Sequence, residues 1–341
     1  MFTRPLTGGE HSDRPRFRSM VAAIVGLLLS ALALTACGAG GADDAGGGAA
    51  GGDGTGGGDG AFPVSVASGA AGSGEEVTIE TRPERIVSLS PSATESLFAI
   101  DAGDQVVAVD EYSYYPAEAP VVEGLSGHRP NVEAVLTHDP DLVIVSGQDD
   151  SLSQGMAAVG VPVLVLPAAE DLGDAYAQIE TLGVATGHVG DAAEVVKDMA
   201  ADIGEAVDSV SAELRDSGLT YYHEVSSDHY SITDHTFLGA VYREFGLASI
   251  ATGDSGYPQL NAEAIIAADP DLIFLANATS ESMTADDVAA RPGWDQITAV
   301  KNGNITALDE DLASRWGPRL PELFREIARA LAAATVPAAA N

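Results

Sequence analysis

The chain has 341 residues, of which 51 are acidic and 16 are basic, so its formal net charge at neutral pH is −35. Such a charge repels phosphate backbones and anionic lipid head groups, which argues against nucleic-acid binding and against adsorption flat on a membrane. Cys37 is the only cysteine, so no intramolecular disulfide can form and the fold must rest on packed cores. The length suffices for two lobes with ordinary cores.

Residues 1–36 have the pattern of an export signal peptide. Four arginines within residues 4–18 precede an apolar run at 21–36, which is shorter than the roughly 18 to 20 residues that span a membrane. The run ends in LTAC, and these small residues before Cys37 resemble the lipobox of bacterial lipoproteins, in which the cysteine is acylated and becomes the mature N-terminus. An ordinary signal peptide followed by a buried or chance cysteine is the alternative.

Residues 37–76 are expected to form a disordered tether. Positions 38–60 contain only Gly, Ala, Asp and one Thr, a composition that cannot bury a core. A flexible chain of this length reaches roughly 35 Å. The sequence therefore predicts an extracytoplasmic protein, anchored to the cell membrane through its lipid alone and held off the surface by the tether.

From residue 77 onward the chain alternates between short β-branched runs and helical patterns. Continuous apolar runs separated by helices are typical of parallel strands that are covered on both faces. Four runs predict the strands of an N-terminal lobe at 77–188, and three predict those of a C-terminal lobe at 217–335. The runs are RIVSL (85–89), QVVAV (105–109), DLVIV (141–145), PVLVL (162–166), LTYYHEV (219–225), DLIFL (271–275) and NITAL (304–308). We predict an α/β fold of two similar lobes, each with a mostly parallel sheet.

One amphipathic segment, at 189–216, lies between the lobes. Apolar residues recur at three- and four-residue steps from Val196 to Leu214, which predicts a helix over 191–215 with a length of about 37 Å. That length favours one rigid helix joining the lobes. The alternative is an ordinary surface helix of a single lobe.

Residues 131–145 (NVEAVLTHDPDLVIV) are repeated at 261–275 (NAEAIIAADPDLIFL), with seven of fifteen positions identical. Asn131 and Asn261 are good helix N-caps, the glutamate two residues later falls in the first turn, and Asp-Pro-Asp stops the helix before a buried strand. Each copy is thus a helix, turn and strand of one lobe. The repetition predicts two topologically alike lobes related by a pseudo-twofold axis.

Six strings, in this order, resemble the helical-backbone class of ABC-transporter substrate-binding proteins, which are extracytoplasmic receptors for cobalamin, ferric siderophores, haem and some metal ions. They are RPERIVSLSPSATESLFAI (82–100), VVAVDEYSYYP (106–116), the two DPDL units, GYPQLNAEAI (256–265), RPGWDQITAVKNGNI (291–305) and DLASRWGPRLPEL (311–323). The resemblance covers residues 82–332 and is nearest to the cobalamin and iron-siderophore branch. It implies a ligand cleft between the lobes, a monomer, and transported cargo rather than a cofactor.

The resemblance also implies ligand-binding residues. Tyr112 matches a tyrosine that packs on the ligand, Tyr257 stands where a tryptophan does, and Asp311 with Arg315 match a polar pair of the second lobe. Further candidates are Ser92, after the first strand, and His128. The chain departs from the pattern where Gly127 and His128 replace a second tryptophan and where Ser146 replaces an aromatic residue. Loop packing by the tyrosines and a surface ion pair of Asp311 with Arg315 are the structural alternatives.

In the resembling family, one acidic residue at the tip of each lobe pairs with arginines on the two permease subunits. Glu133 and Glu263, one in each repeat, fall on those positions. A first-turn glutamate also stabilises its own helix by about 0.3 to 1 kcal/mol, which is the simpler explanation. Recurrence in both copies favours docking on the permease dimer.

Other functions are open at this stage. A zinc or manganese receptor could use imidazole and carboxylate ligands from the segment 223–235, namely His223, Glu224, Asp228, His229, Asp234 and His235. A haem receptor could use Tyr112, Tyr114, Tyr115 or His128 as an axial ligand. The segment HEVSSDH is not an HExxH motif, and the sequence contains no nucleophile elbow or phosphate loop, so an enzyme is not expected.

Overall fold

The computed structural model describes residues 62–69 and 73–335, which form two four-stranded parallel sheets and one two-stranded antiparallel sheet. The strands are β1 (Val64–Ala67), β2 (Glu76–Ile79), β3 (Ile86–Leu89), β4 (Val106–Val109), β5 (Leu142–Val145), β6 (Val163–Val165), β7 (Thr220–Glu224), β8 (Ala248–Ser249), β9 (Leu272–Leu275) and β10 (Ile305–Ala307). The helices are α1 (Pro91–Ala99), α2 (Val132–Leu136), α3 (Asp150–Ala157), α4 (Leu172–Thr186), α5 (Val189–Asp208), α6 (Ala212–Arg215), α7 (Phe237–Glu244), α8 (Ala262–Ala268), α9 (Ala285–Ala289), α10 (Thr298–Asn302), α11 (Glu310–Ser314) and α12 (Leu320–Ala333). None of these helices is long and apolar enough to cross a membrane. The predicted signal peptide, the lipidation site at Cys37 and tether residues 38–61 and 70–72 lie outside the described residues.

The two parallel sheets have the same topology. The strand order is β4-β3-β5-β6 in the first lobe and β8-β7-β9-β10 in the second. In each lobe the first strand therefore has the second strand on one side and the third and fourth on the other. All four residues of β3, β5 and β9 are buried, as expected for strands covered on both faces. All seven predicted strands are present, and the prediction of two similar α/β lobes is confirmed.

The repeated DPDL segments have the same structural task in both lobes. The carboxylate of Asp141 accepts hydrogen bonds from the backbone N–H groups of Glu84 (2.8 Å) and Arg85 (3.0 Å), just before β3. The carboxylate of Asp271 accepts one from the N–H of Thr220 (2.9 Å), at the start of β7. Each aspartate thus fixes the start of its lobe's third parallel strand against the start of the first.

The predicted connecting helix is interrupted near its end. α5 ends at Asp208, and three non-helical residues separate it from the short α6. The hydroxyl of Ser209 donates to the carbonyl of Ala206 (2.6 Å), and that of Ser211 accepts from the N–H of Leu214 (3.3 Å) as the N-cap of α6. Such side-chain bonds to the backbone compete with helix continuation. The continuous helix is therefore about 30 Å long rather than 37 Å.

The first lobe begins earlier than the sequence predicts. The tether was expected to extend to residue 76, but β1 pairs antiparallel with β2 and buries Val66. β1 is also tied to the edge strand β6: the N–H of Gly69 donates to the carbonyl of Val165 (2.8 Å), and the N–H of Val165 donates to the hydroxyl of Ser68 (3.0 Å). The alternation FPVSV predicts a strand, but Gly- and Ala-rich surroundings conceal it.

The two lobes share one hydrophobic core. Buried side chains of the first lobe, of α5 and of the second lobe form a continuous cluster, which includes Leu97, Met199 and Phe324. α5 packs against α4 of the first lobe on one side and against α12 of the second lobe on the other. Separate clusters cover the remaining faces of the two sheets. A shared core restricts rotation of one lobe against the other.

Gly246, in the turn between α7 and β8, tests the packing of the second lobe. Its φ is +72°, and a Cβ there would overlap the carbonyl oxygen of Arg215. Gly246→Ala is expected to lower the free energy of unfolding by about 3 kcal/mol. The alanine would have to adopt a left-handed conformation, and the backbone at Arg215 would have to move away from its Cβ. Gly218→Ala is the control, since Gly218 has φ +71° with no heavy atom within 4 Å of the added Cβ, and it is expected to lose only about 1 kcal/mol. Equal losses in chemical denaturation would contradict the proposed overlap.

Candidate functional site

The loops that follow β3, β4 and β5 converge at the carboxyl end of the first lobe's sheet, where ligands bind in parallel α/β folds. They line two cavities. The larger, of about 370 Å³, is bordered by Asp110, Gly127, His128, Gln148 and Asp149. The smaller, of about 270 Å³, is bordered by Ser92, Tyr114, Asp311, Arg315 and Trp316. Pro91, Tyr112 and Ser146 border both cavities, so the two adjoin each other. We call them together the candidate cleft, a recess bordered mainly by the first lobe and, at the smaller cavity, by the second lobe as well.

A tyrosine-rich loop after β4 forms one wall of the candidate cleft. A buried carboxylate fixes this loop, because Asp110 accepts hydrogen bonds from the hydroxyl of Ser113 (2.5 Å) and from the N–H of Gly127 (3.0 Å). The loop carries three exposed aromatic side chains, Tyr112, Tyr114 and Tyr115. Exposed aromatic faces on an anchored loop provide a large flat contact surface at small conformational cost.

Two arginines of the second lobe pair with a buried carboxylate of the first. Glu95 on α1 is 3% exposed and accepts hydrogen bonds from Nη1 of Arg315 (2.6 Å) and from Nε and Nη2 of Arg319 (2.9 and 2.6 Å). Nη2 of Arg315 also donates to the carbonyl of Tyr112 (3.1 Å) and to Asp311 (2.9 Å). Glu95, Asp311, Arg315 and Arg319 therefore balance in charge across the lobe boundary, and we call them the interlobe cluster.

The tyrosine loop lies directly on the interlobe cluster. The hydroxyl of Tyr114 donates to Asp311 (2.7 Å). Burial and the neighbouring carboxylate of Asp311 raise the pKa of Tyr114, so this hydroxyl stays protonated at neutral pH. The guanidinium carbons of Arg315 and Arg319 lie 5.0 and 4.0 Å from the ring centroids of Tyr114 and Tyr115. These cation–π contacts hold the rings in place from the second lobe.

Trp316 borders the smaller cavity and joins the two lobes. Its backbone N–H donates to the hydroxyl of Ser92 (3.2 Å), and its indole N–H donates to the side-chain carbonyl of Gln178 (2.9 Å). The other tryptophan, Trp294, is buried in the second lobe against Tyr222. Trp316 is therefore the tryptophan that borders the candidate cleft.

Five of the six residues predicted to bind ligand border the candidate cleft, and their role as ligand contacts stays a prediction. They are Ser92, Tyr112, His128, Asp311 and Arg315. Tyr257 does not border either cavity. It is exposed on a loop that is held by a β-bridge between Tyr230 and Gln259.

Sequence reasoning missed the partners of these residues, above all Glu95 and Arg319. The string SATES in α1 suggests an exposed polar face, yet residues 92–97 are all buried. A buried carboxylate is costly unless cations pair with it, so Glu95 requires cationic partners. The sequence does not show that these partners lie 220 and 224 residues further along the chain.

Gly127 explains the missing tryptophan in the first-lobe wall. A Cβ at this position would overlap the carbonyl oxygen of Leu89 and would lie 2.9 Å from the carboxylate of Asp110. The present backbone path therefore accommodates no side chain here. The wall consists of backbone and of the exposed imidazole of His128 instead.

Glu133 and Glu263 occupy equivalent places in the two lobes. Each is exposed in the first turn of a short helix, α2 or α8. The predicted N-caps are confirmed, because the side chains of Asn131 and Asn261 each accept a hydrogen bond from the N–H three residues further on (3.0 and 2.8 Å). The two carboxylates are therefore displayed on matching, locally rigid helix starts.

Two of the six candidate metal ligands are engaged elsewhere. His223 is buried, its Nδ1 lies 2.9 Å from the hydroxyl of Tyr242, and burial lowers its pKa to about 3. Glu224 is buried in a bidentate pair with Arg291 (2.6 and 2.7 Å). In the part of the chain that the structure describes, no group of three or more His, Cys, Asp or Glu is placed to hold a metal ion.

These features together define a two-lobed binding protein. It has two parallel-sheet lobes, a helix that packs on both, and a recess bordered by both. The chain belongs to the Periplasmic binding protein family, which it matches over residues 86–312. This family assignment confirms the predicted class.

Proteins similar to this chain are also named as binding proteins. The uncharacterized ABC transporter substrate-binding lipoprotein YvrC of Bacillus subtilis is 33% identical over 277 residues, which cover 79% of this chain and 86% of YvrC. The cobalamin-binding protein of Halobacterium salinarum is 30% identical over 293 residues, which cover 81% and 76%. The crystal structure of a possible iron-binding (periplasmic solute-binding) protein from Staphylococcus epidermidis aligns with a TM-score of 0.63 at 25% identity, covering 74% of this chain and 99% of that one. These relatives are named as binding proteins, not enzymes, in line with the prediction.

Removal of the Glu95 side chain tests the interlobe cluster. Glu95→Ala leaves Arg315 and Arg319 largely buried without their main partner, so the free energy of unfolding is expected to fall by about 3 to 5 kcal/mol. Asp202→Ala is the control, because it breaks the half-exposed pair of Asp202 with Arg325 and is expected to cost about 1 kcal/mol or less. Chemical denaturation measures both. A loss for Glu95→Ala as small as that for Asp202→Ala would contradict the proposed role of the cluster.

Proposed function

We propose that this protein is the extracytoplasmic substrate-binding lipoprotein of an ABC importer and that it delivers a metal chelate, cobalamin or a ferric siderophore, to the permease. Membership of the Periplasmic binding protein family and similarity to an ABC transporter substrate-binding lipoprotein support the transporter class. Similarity to a cobalamin-binding protein and to a possible iron-binding protein supports the chelate. Acylation of Cys37 anchors the protein in this proposal, and the lipoprotein relative supports it.

The aromatic wall of the candidate cleft is the observation that carries the chelate proposal. Tyr112 is 57% exposed and borders both cavities, so its ring is free to pack on a flat macrocycle or chelate ring. Asp311 and His128 border the same recess and offer polar groups for amides or other substituents. A large flat face with a few oriented polar groups suits a bulky chelate better than a single ion.

Haem is a second candidate cargo, and one observation favours it. His128 and Tyr112 border the same cavity, and imidazole and phenolate are both axial ligands of haem iron. With haem as the cargo, the aromatic wall packs on the porphyrin, and the protein delivers the haem to the same importer.

Substitution of Tyr112 tests the chelate proposal. Purified protein is titrated with cyanocobalamin, haem and ferrichrome, and quenching of the tryptophan fluorescence, to which Trp316 at the cleft contributes, reports binding. Tyr112→Ala is expected to weaken binding of the cargo about tenfold or more because the ring contact is lost. For cyanocobalamin and ferrichrome, Tyr112→Phe keeps the ring contact and is expected to stay within about threefold of the unmodified protein. Undiminished affinity of Tyr112→Ala would contradict the assigned contact.

We also propose that Glu133 and Glu263 dock on arginines of the two permease subunits. Both carboxylates are exposed at equivalent helix starts in the two lobes. Exposed charges of opposite sign steer association and fix the orientation of partners. A receptor with two matching acidic tips fits a permease dimer with two matching basic pockets.

The double variant Glu133→Arg with Glu263→Arg is expected to abolish uptake of cargo by cells while the purified protein binds that cargo with unchanged affinity. The control is Glu213→Arg with Glu322→Arg, which reverses two other exposed first-turn glutamates. It carries the same change in net charge and a similar helix penalty of about 0.3 to 1 kcal/mol per site. Equal loss of uptake in both double variants would contradict specific docking, as would loss of cargo binding in the first.

A further inference from the structure

We infer that the candidate cleft selects a cargo without net negative charge, that is, a neutral or cationic chelate. This inference rests on the proposed function and narrows it. Asp110, Asp149 and Asp311 border the recess, and Arg315 is the one cationic side chain among its bordering residues in the described part of the chain. Three carboxylates against one guanidinium give these four side chains a formal charge of −2.

The single guanidinium is not available to a cargo anion. Arg315 has 7% of its side chain exposed and directs its two terminal nitrogens to Glu95, to Asp311 and to the carbonyl of Tyr112. Arg319 donates hydrogen bonds to both carboxylate oxygens of Glu95, and its guanidinium lies over the ring of Tyr115. A cargo carboxylate would have to displace one of these short charge-assisted bonds in order to reach either arginine.

The carboxylates, in contrast, are held in the recess by the fold. Asp110 is 2% exposed and is committed to the loop bonds of Ser113 and Gly127. Asp149 caps α3, accepting from the N–H of Leu152 (2.8 Å). Arg129 follows His128 but does not border either cavity. A cargo in the recess therefore experiences a negative local field within a chain whose formal charge is already −35.

This field distinguishes the candidate cargos by their charge. Cyanocobalamin is neutral, and ferric trihydroxamates without free carboxylates are neutral or cationic, so they enter without repulsion. Haem carries two propionates, and ferric tris-catecholates are trianionic, so both are disfavoured. The cleft is thus assigned to corrinoids or hydroxamate chelates.

Matched pairs of cargo test this inference directly. One pair is cyanocobalamin and its monocarboxylic acid derivative, in which one side-chain amide is hydrolysed. The other is cationic ferrioxamine B and its anionic N-succinyl derivative. Within a pair that binds, the derivative is expected to bind about tenfold or more weakly at low salt, with a smaller difference at high salt.

A charge-neutralising variant supplies the internal control. Asp149→Asn keeps a good helix N-cap and removes one negative charge from the lining. It is therefore expected to reduce the affinity ratio between parent chelate and anionic derivative by on the order of threefold. Asp198→Asn removes the same charge from the exposed face of α5 and is expected to leave the difference unchanged.

The possible outcomes separate this inference from the proposed function. If neither parent chelate binds saturably, the proposed function fails and this inference fails with it. If a parent chelate binds but its anionic derivative binds as tightly or more tightly, the charge selection alone is overturned. If Asp149→Asn and Asp198→Asn have equal effects on the difference, the selection does not originate in the cleft and the inference is likewise overturned.

Discussion

The carboxylate of Glu95 is the constraint on which the arrangement of the two lobes depends. A buried charge is tolerated only when hydrogen-bonded cations surround it, and here both cations come from the other lobe. Those arginines in turn support the rings of Tyr114 and Tyr115, and Trp316, next to Arg315 in the chain, borders the recess. One ionic contact thus supports the tyrosine wall of the candidate cleft.

The shared core and the interlobe cluster together indicate a receptor that is largely preformed. α5 packs against helices of both lobes, and the apolar cluster runs through it without a break. A hinge rotation would have to separate this core or break the pairs of Glu95, whereas sliding of packed helices allows only small displacements. Cargo recognition therefore depends on the shape and charge of an existing recess more than on closure around the ligand.

The sequence predicts the sheets well because the signal for a strand is local. Apolar runs locate all seven expected strands, and the repeated DPDL unit predicts the common topology of the lobes. The prediction fails where the decisive contacts are distant or compete with a local pattern. The serines beyond Asp208 end the connecting helix, and Gly-rich flanks conceal β1. Only the folded chain shows that Arg315 pairs with Glu95 and that Tyr257 does not border the two cavities, because loop positions carry no periodic signal.

The two lobes have the same sheet topology, but β1 is hydrogen-bonded to the edge strand β6 of the first lobe only, and this distinguishes the lobes. A body with pseudo-twofold symmetry can meet a twofold-symmetric partner in two orientations that differ by half a turn. In the proposed lipoprotein, the tether continues directly into β1, so the membrane anchor pulls on the first lobe. Within that proposal, the point of attachment distinguishes the two orientations, which two matching acidic tips alone do not.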